Sequence, residues 1–121
     1  MKEQLKLSLS RGPKGQAILR VEGAVDLHSF KQFEAAFRSF DEQRVNYLVL
    51  DLAQMTYISS SGLGLMIKAK TEFIQKDGDV VLVRPQTSIL NILKVLGLMD
   101  LFRVASSVEE ALLPPAPRDG A

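Results

Sequence analysis

The sequence predicts an α/β domain: a mixed, mostly parallel sheet that opens with an antiparallel hairpin and packs against about four helices. Three observations lead to this fold class. Apolar runs of strand type alternate along the chain with amphipathic runs of helical period. Two of the strand runs, Tyr47–Leu52 and Val80–Val83, are almost unbroken in their hydrophobicity, as strands covered on both faces are. The first two apolar runs are separated only by Arg11-Gly12-Pro13-Lys14-Gly15, a link that suits a hairpin and is too short for a crossover.

Leu5, Leu7 and Leu9 alternate with Lys6, Ser8 and Ser10, so the first strand is expected to bury one face. Ala17-Ile18-Leu19-Arg20-Val21 supplies its partner, and Glu22-Gly23-Ala24 ends the hairpin. Beyond Asp26 the period changes. Phe30, Phe33, Phe37 and Phe40 recur with polar residues between them, which makes an amphipathic helix whose aromatic stripe is core. Tyr47–Leu52 belongs in the centre of the sheet, and Thr56-Tyr57-Ile58 leads to Ser59-Ser60-Ser61-Gly62. A second helix follows, with Met66, Ala69 and Phe73 on one stripe and Leu63, Ile67 and Ile74 on the next; Lys76-Asp77-Gly78 ends it. Val80–Val83 is the next strand. Ile89, Ile92, Leu93 and Leu96 mark a third helix stopped at Gly97, and Leu101–Val104 is a last short strand. Ser106 or Ser107 caps a final helix through Glu109 and Glu110 to Leu113, and the prolines from Pro114 onward forbid more. Residues 1–113 thus form one domain and 114–121 a Pro-rich mobile tail.

A chain of 121 residues can hold one core without disulfides or structural metal. With no cysteine and one histidine, it has no disulfide framework, thiolate nucleophile or multi-histidine metal centre. Its 15 basic and 14 acidic residues are interspersed, which argues against a nucleic-acid partner. No apolar run approaches the ~20 residues that cross a bilayer, and MKEQLKLSLS lacks a signal peptide's apolar block. The expectation is a cytoplasmic protein with no membrane insertion and no cofactor.

The segment Ile58-Ser59-Ser60-Ser61-Gly62-Leu63-Gly64 lies between a strand end and a helix start, where open α/β sheets place their sites. The first amides of a helix lack partners and carry partial positive charge, which suits a phosphate, and three hydroxyls stand there. Gly62 and Gly64 begin a dinucleotide fingerprint whose third glycine would fall at Ile67, and no P-loop exists, so bound nucleotide is not indicated. A serine hydrolase would need His28 as the base for Ser60, oriented by Asp26. The Gly-x-Ser-x-Gly elbow is missing, which leaves this a remote alternative. Capping by Ser59 or Ser60 accounts for one hydroxyl and no glycine. A helical glycine costs about 1 kcal/mol relative to alanine, less in the first turn. Bare backbone at Gly62 and Gly64 is therefore explained either by tight packing on the sheet or by close approach of another protein.

Asp51 through Gly64, reading DLAQMTYISSSGLG, resembles the signature of STAS domains, the sulphate-transporter and anti-sigma-factor-antagonist family, and within it the small bacterial anti-sigma factor antagonists. Gly23-Ala24-Val25-Asp26 is similar to the family's Gly-x-hydrophobic-Asp before the first helix. LKVLGLMDLF, Leu93 to Phe102, and Val108–Leu112 are similar to its C-terminal segments. The resemblance implies a STAS-like fold, no enzymatic activity and a switch in partner binding. The unmodified domain would bind an anti-sigma factor, a serine kinase of the histidine-kinase-like ATPase fold, and so free a sigma factor. Phosphorylation would end the binding and a PP2C-type phosphatase restore it, with ATP and Mg²⁺ belonging to the kinase. By position the modified residue is Ser60, the first serine of the family's Asp-Ser-Ser/Thr-Gly. The preceding Asp is Ser59 here, a competing hydroxyl, which makes Ser59 and Ser61 lesser candidates. The implied partner surface comprises Asp26, Ser29, Ser59, Ser60, Ser61, Gly62, Leu63 and Gly64. Lys68 and Lys70 either extend it or form an ordinary solvated face. The alternative is a STAS adaptor that docks in a signalling or membrane-transport assembly without phosphorylation.

Overall fold

The computed structural model describes residues 4–113, so the tail expected at 114–121 lies outside the described residues. The elements are β1 (Lys6–Arg11), β2 (Gln16–Val25), α1 (Phe30–Glu42), β3 (Tyr47–Ile58), α2 (Ser60–Gln75), β4 (Asp79–Val83), α3 (Thr87–Val95), β5 (Arg103–Ala105) and α4 (Val108–Leu112). They form one sheet in the order β1-β2-β3-β4-β5, antiparallel only between β1 and β2. Each parallel step is made through a helix. Crossovers of one hand along a sequentially ordered sheet put α1, α2 and α3 on one face.

Two apolar clusters follow from that arrangement. On the three-helix face, Phe33, Phe37 and Phe40 of α1, Met66 and Phe73 of α2, and Ile89 and Leu93 of α3 pack on Leu19, Leu48, Leu50 and Leu82. On the other face, Val49, Val81, Val83 and Ala105 are covered by Ala111 of α4. Alternate residues of β3 serve the two clusters, which is why its sequence is apolar without a break. β1 is less covered than its alternation suggests: Leu5 is buried, but Leu9 is 42% exposed at the edge of the sheet. Ile74 and Leu96, expected on core stripes, are likewise exposed at helix ends.

The hairpin does not end at Glu22-Gly23-Ala24. β2 continues to Val25 and β3 to Ile58, and their pairing absorbs two register shifts. Arg20 and Glu22 face Asp51 and Gln54, and Gly23 and Ala24 face Met55 and Tyr57, so β3 carries an extra residue each time. The three-residue spacing keeps Leu52, Met55 and Ile58 all buried. At the first bulge Asp51 Oδ1 accepts the Ala53 amide at 3.2 Å, and Gln86 Nε2 donates to the Ala53 carbonyl at 3.0 Å. At the second, Gly23 takes φ 95°, a conformation that favours glycine.

α1, α2 and α3 each close with a six-to-one hydrogen bond: Val45 N to Phe40 O at 2.9 Å, Gly78 N to Phe73 O at 2.8 Å and Leu98 N to Leu93 O at 2.7 Å. The left-handed residues of these turns are Arg44, Asp77 and Gly97. Gly78 is thus not the left-handed residue of the α2 turn. A Cβ there would lie 1.4 Å from the Asn46 carbonyl oxygen, so its absence lets the helix end meet the start of β3.

α4 has five residues and is too short to be stable alone, and side chains hold both of its ends. Ser107 Oγ accepts the Glu110 amide at 3.0 Å, while the Glu110 carboxylate accepts the Ser106 amide at 3.2 Å and the Ser106 hydroxyl. At the C-terminal end Arg103 donates to the carbonyls of Glu110 at 3.0 Å and Leu113 at 3.1 Å. The Tyr47 hydroxyl donates to that of Ala111 and Gln16 to that of Leu112 at 3.4 Å. Burial pushes the Tyr47 phenol above its ordinary 10.0, and the Ser106 hydrogen bonds hold the Glu110 carboxyl below the usual range.

Arg44→Gly relieves a left-handed conformation that costs non-glycine residues about 1–2 kcal/mol, so it stabilises the protein by about 1 kcal/mol in urea denaturation. Tyr47 favours its neutral form in the fold, so its contribution is full below pH 10 and lost as the pH rises through its raised pKa. Glu110 favours its charged form, and its contribution is lost as the pH falls below the ordinary carboxylate range. Titrated by phenolate absorbance in a Tyr57→Phe background, Tyr47 ionises above pH 10, and limited proteolysis at the α4 boundary increases over the same range.

Candidate functional site

The carboxyl ends of β2 and β3 deliver two loops side by side. Their pairing continues one step past the strands, because the Ser59 amide donates to the Val25 carbonyl at 2.8 Å. The chain then enters α2 directly. Ser59 has an extended backbone, φ −76° and ψ 165°, and its Oγ accepts the Gly62 amide at 3.2 Å, so it is the N-cap. Aspartate and serine both cap helices well. Ser59 therefore does here what the aspartate of the Asp-Ser-Ser-Gly pattern would do, with its hydroxyl oxygen already engaged. Ser60 and Ser61, one and two residues on, are exposed in the first turn. That turn contains no acidic side chain, which leaves the partial positive charge of its amides unopposed locally.

The two glycines have different causes. Gly62 is buried, and a Cβ on it would lie 2.8 Å from Val25 Cγ1 and 3.0 Å from Ile58 Cγ1. Its bareness seats the helix on the two strand ends. Gly64 is exposed, and a Cβ there would meet nothing within 4 Å. Packing inside the chain explains Gly62 and leaves Gly64 unexplained. Leu63 is buried in the three-helix core and holds the turn from beneath. The outward face of α2 runs from Ser60 and Ser61 through Gly64 to Lys68, each exposed and about one turn apart. Lys68 lies 3.9 Å from Glu72. Lys70 departs from the expected face: it is largely covered and ion-paired with Asp79 at the start of β4.

The neighbouring loop is built by Asp26 and Ser29. Asp26 Oδ1 accepts the amides of His28 at 2.9 Å and Ser29 at 3.0 Å. Ser29 Oγ accepts the Asp26 amide at 2.9 Å and donates to the Ala24 carbonyl at 2.7 Å. These bonds fix the turn and leave Leu27 and His28 exposed at its tip. Among the described residues no hydrogen bond joins the His28 ring to Ser60, so the geometry gives no support to a nucleophile–base pair. No group of three or more metal-ligating side chains occurs among them, and no helix is long and apolar enough to cross a membrane. Sequence reasoning missed Leu27 and Tyr57, two large apolar side chains exposed beside the serine turn. Their only signal is an apolar residue next to loop-forming ones.

Residues 10–111 match the STAS domain family. BtrV of Bordetella bronchiseptica, assigned as an anti-sigma factor antagonist, is 29% identical over 97 residues, covering 80% of this chain and 84% of the relative. The anti-sigma-B factor antagonist of Listeria monocytogenes is 23% identical over 84 residues, 69% of this chain and 74% of its own. Among solved structures, the anti-sigma factor antagonist SpoIIAA in its unphosphorylated form superposes with a TM-score of 0.75 at 22% identity, over 88% of this chain and 92% of that one. The phosphorylated form of SpoIIAA, from Bacillus, superposes at 0.70 with 21% identity, over 88% and 96%.

The two glycines respond oppositely to one methyl group. Gly62→Ala overpacks the helix seat and costs about 1–3 kcal/mol. Gly64→Ala removes a helical glycine from open space and stabilises by up to about 1 kcal/mol. Urea denaturation of the two variants checks both signs.

Proposed function

The chain belongs to the STAS domain family, and we propose that within it this protein is an anti-sigma factor antagonist switched by phosphorylation of Ser60. The unmodified protein binds an anti-sigma factor of the serine-kinase type and releases a sigma factor in the cytoplasm. The kinase transfers the γ-phosphoryl of ATP to Ser60 Oγ with ADP as leaving group and loss of the hydroxyl proton, and a PP2C-type phosphatase hydrolyses the ester with water, releasing inorganic phosphate and restoring the serine. The observation that carries this reading is the pairing of exposed Ser60 with exposed Gly64 on one helix face, where the fold gives no reason for bare backbone. Ser59 supports it by taking the capping role itself, which leaves the next hydroxyl outside. The relatives assigned as anti-sigma factor antagonists agree with it.

Magnitudes decide how such a switch acts. A phosphoryl group adds about −1.5 to −2 charges, and an anion at a helix N-terminus gains about 0.3–1 kcal/mol, so modification leaves the domain folded. Placed between two surfaces, the same group forces apart a contact built for a bare hydroxyl and glycine backbone. Every 1.4 kcal/mol of that repulsion weakens binding tenfold. The mechanism is local exclusion with no rearrangement of the fold. That structures of SpoIIAA in both forms share this fold agrees with such a mechanism.

Incubation with the cognate kinase and ATP, followed by intact-mass analysis and fragmentation, should find one phosphoryl group, on Ser60. Ser60→Ala gains none and still binds. Ser60→Asp keeps its unfolding free energy within about 0.5 kcal/mol of wild type and loses binding at least a hundredfold. A wild-type chain that binds tightly yet gains no phosphate is instead a phosphorylation-independent STAS adaptor. Gly64→Ala, more stable than wild type, should bind the anti-sigma factor about tenfold more weakly.

A further inference from the structure

A shallow groove runs beside the serine turn, between the tip of the β2–α1 loop and the end of β3, lined by Ala24, Asp26, Leu27, His28, Thr56, Tyr57 and Ser59. Leu27 is 87% exposed and Tyr57 52% exposed, and they flank the groove. Both are held in that position by main-chain constraints. Leu27 sits at the tip of the turn that Asp26 Oδ1 closes through the His28 and Ser29 amides. Tyr57 points outward between buried Met55 and Ile58 because the second bulge of β3 adds a residue there. Two apolar groups fixed in water on ordered backbone are preorganised for contact, since little main-chain freedom is lost when they are covered.

We propose that Leu27 and Tyr57 form a seat for one apolar side chain of the anti-sigma factor, and that this seat supplies affinity while Ser60 supplies the switch. The inference rests on the reading of the chain as an antagonist. The occupant follows from continuity and from charge. Ser59, which lines the groove, is the residue before Ser60, so a partner covering the first turn of α2 reaches the groove without a gap. Asp26 is the single carboxylate among the lining residues, its Oδ1 accepts two amides of its own turn, and no Lys or Arg lines the groove. An anionic side chain of the partner would find no Lys or Arg there, a cationic one would have to share Asp26 with the amides of its own turn, and an apolar one would cover exposed apolar surface.

The test is isothermal titration of the purified cognate anti-sigma kinase into full-length wild-type protein and into Leu27→Ser, Tyr57→Ser, the double variant and Ser60→Asp. Leu27→Met and Tyr57→Phe serve as conservative controls. Both serine substitutions lie on exposed side chains, so thermal unfolding midpoints stay within a few degrees of wild type. Expected are about tenfold losses for each serine variant, a larger loss for the double variant, and affinities within about threefold of wild type for the conservative pair. A double variant that binds like wild type while Ser60→Asp does not overturns the seat and leaves the switch standing. A wild-type chain that fails to bind the kinase overturns the functional reading and the seat with it. If the wild-type chain sediments as a dimer that Leu27→Ser dissociates, a second copy occupies the groove and the proposal is wrong. Loss of binding in Tyr57→Phe as large as in Tyr57→Ser would assign the contact to the hydroxyl and overturn its apolar character.

Discussion

The parallel pairing of β2 with β3 positions both loops at the carboxyl end of the sheet. It runs past the strands through the Ser59 amide and the Val25 carbonyl, so the start of α2 is tied to the end of β2 by a main-chain bond. Gly62 then lets the helix settle against Val25 and Ile58 with no side chain between them. A serine turn without that anchor would sit on a mobile loop, and its amides would point in no fixed direction. With the anchor, Ser60 and Gly64 become parts of a rigid surface.

The two bulges in β3 serve the same end. They lengthen the strand relative to its neighbour and turn its side chains so that Met55 and Ile58 remain inside while Tyr57 faces out. An irregular strand exposes main-chain groups that the ladder no longer satisfies. Asp51 and Gln86 bond the amide and carbonyl of Ala53. The Asp51-Leu52-Ala53-Gln54 stretch thus has a mechanical role upstream of the serines, and its polar residues need not touch a partner.

The fold was legible because hydrophobic period is a local property. Phe33, Phe37 and Phe40, or Val80–Val83, carry their burial in their spacing, and the order of strands and helices follows. The bulges were not legible, since a three-residue spacing of buried groups in a strand matches neither a period of two nor one of 3.6. Helix ends were half legible: Gly97 has the expected left-handed backbone, while Arg44 and Asp77 adopt the same conformation without the usual signal. At the site, three serines and two glycines could be found but not sorted. Sorting them needed the distance from Gly62 to Val25, the empty space around Gly64 and the bond from the Gly62 amide to Ser59, all set by residues more than thirty positions away or by the helix itself. Lys70 was misplaced for a related reason, because its partner Asp79 belongs to the next strand.

The order β1-β2-β3-β4-β5 means that every strand lies beside the one made just before it. A growing chain can therefore add strands to an existing edge without reopening a finished pair or waiting for a distant segment. Val25, Ile58, Ser59 and Gly62 all precede β4, so the parts that form the serine surface can meet while β4, β5 and α4 are still being synthesised. The later strands then close the open edge of β3, and α4 covers the remaining apolar face last. The serine end of the molecule can thus assemble early, and the element that seals the second core is the last to be made.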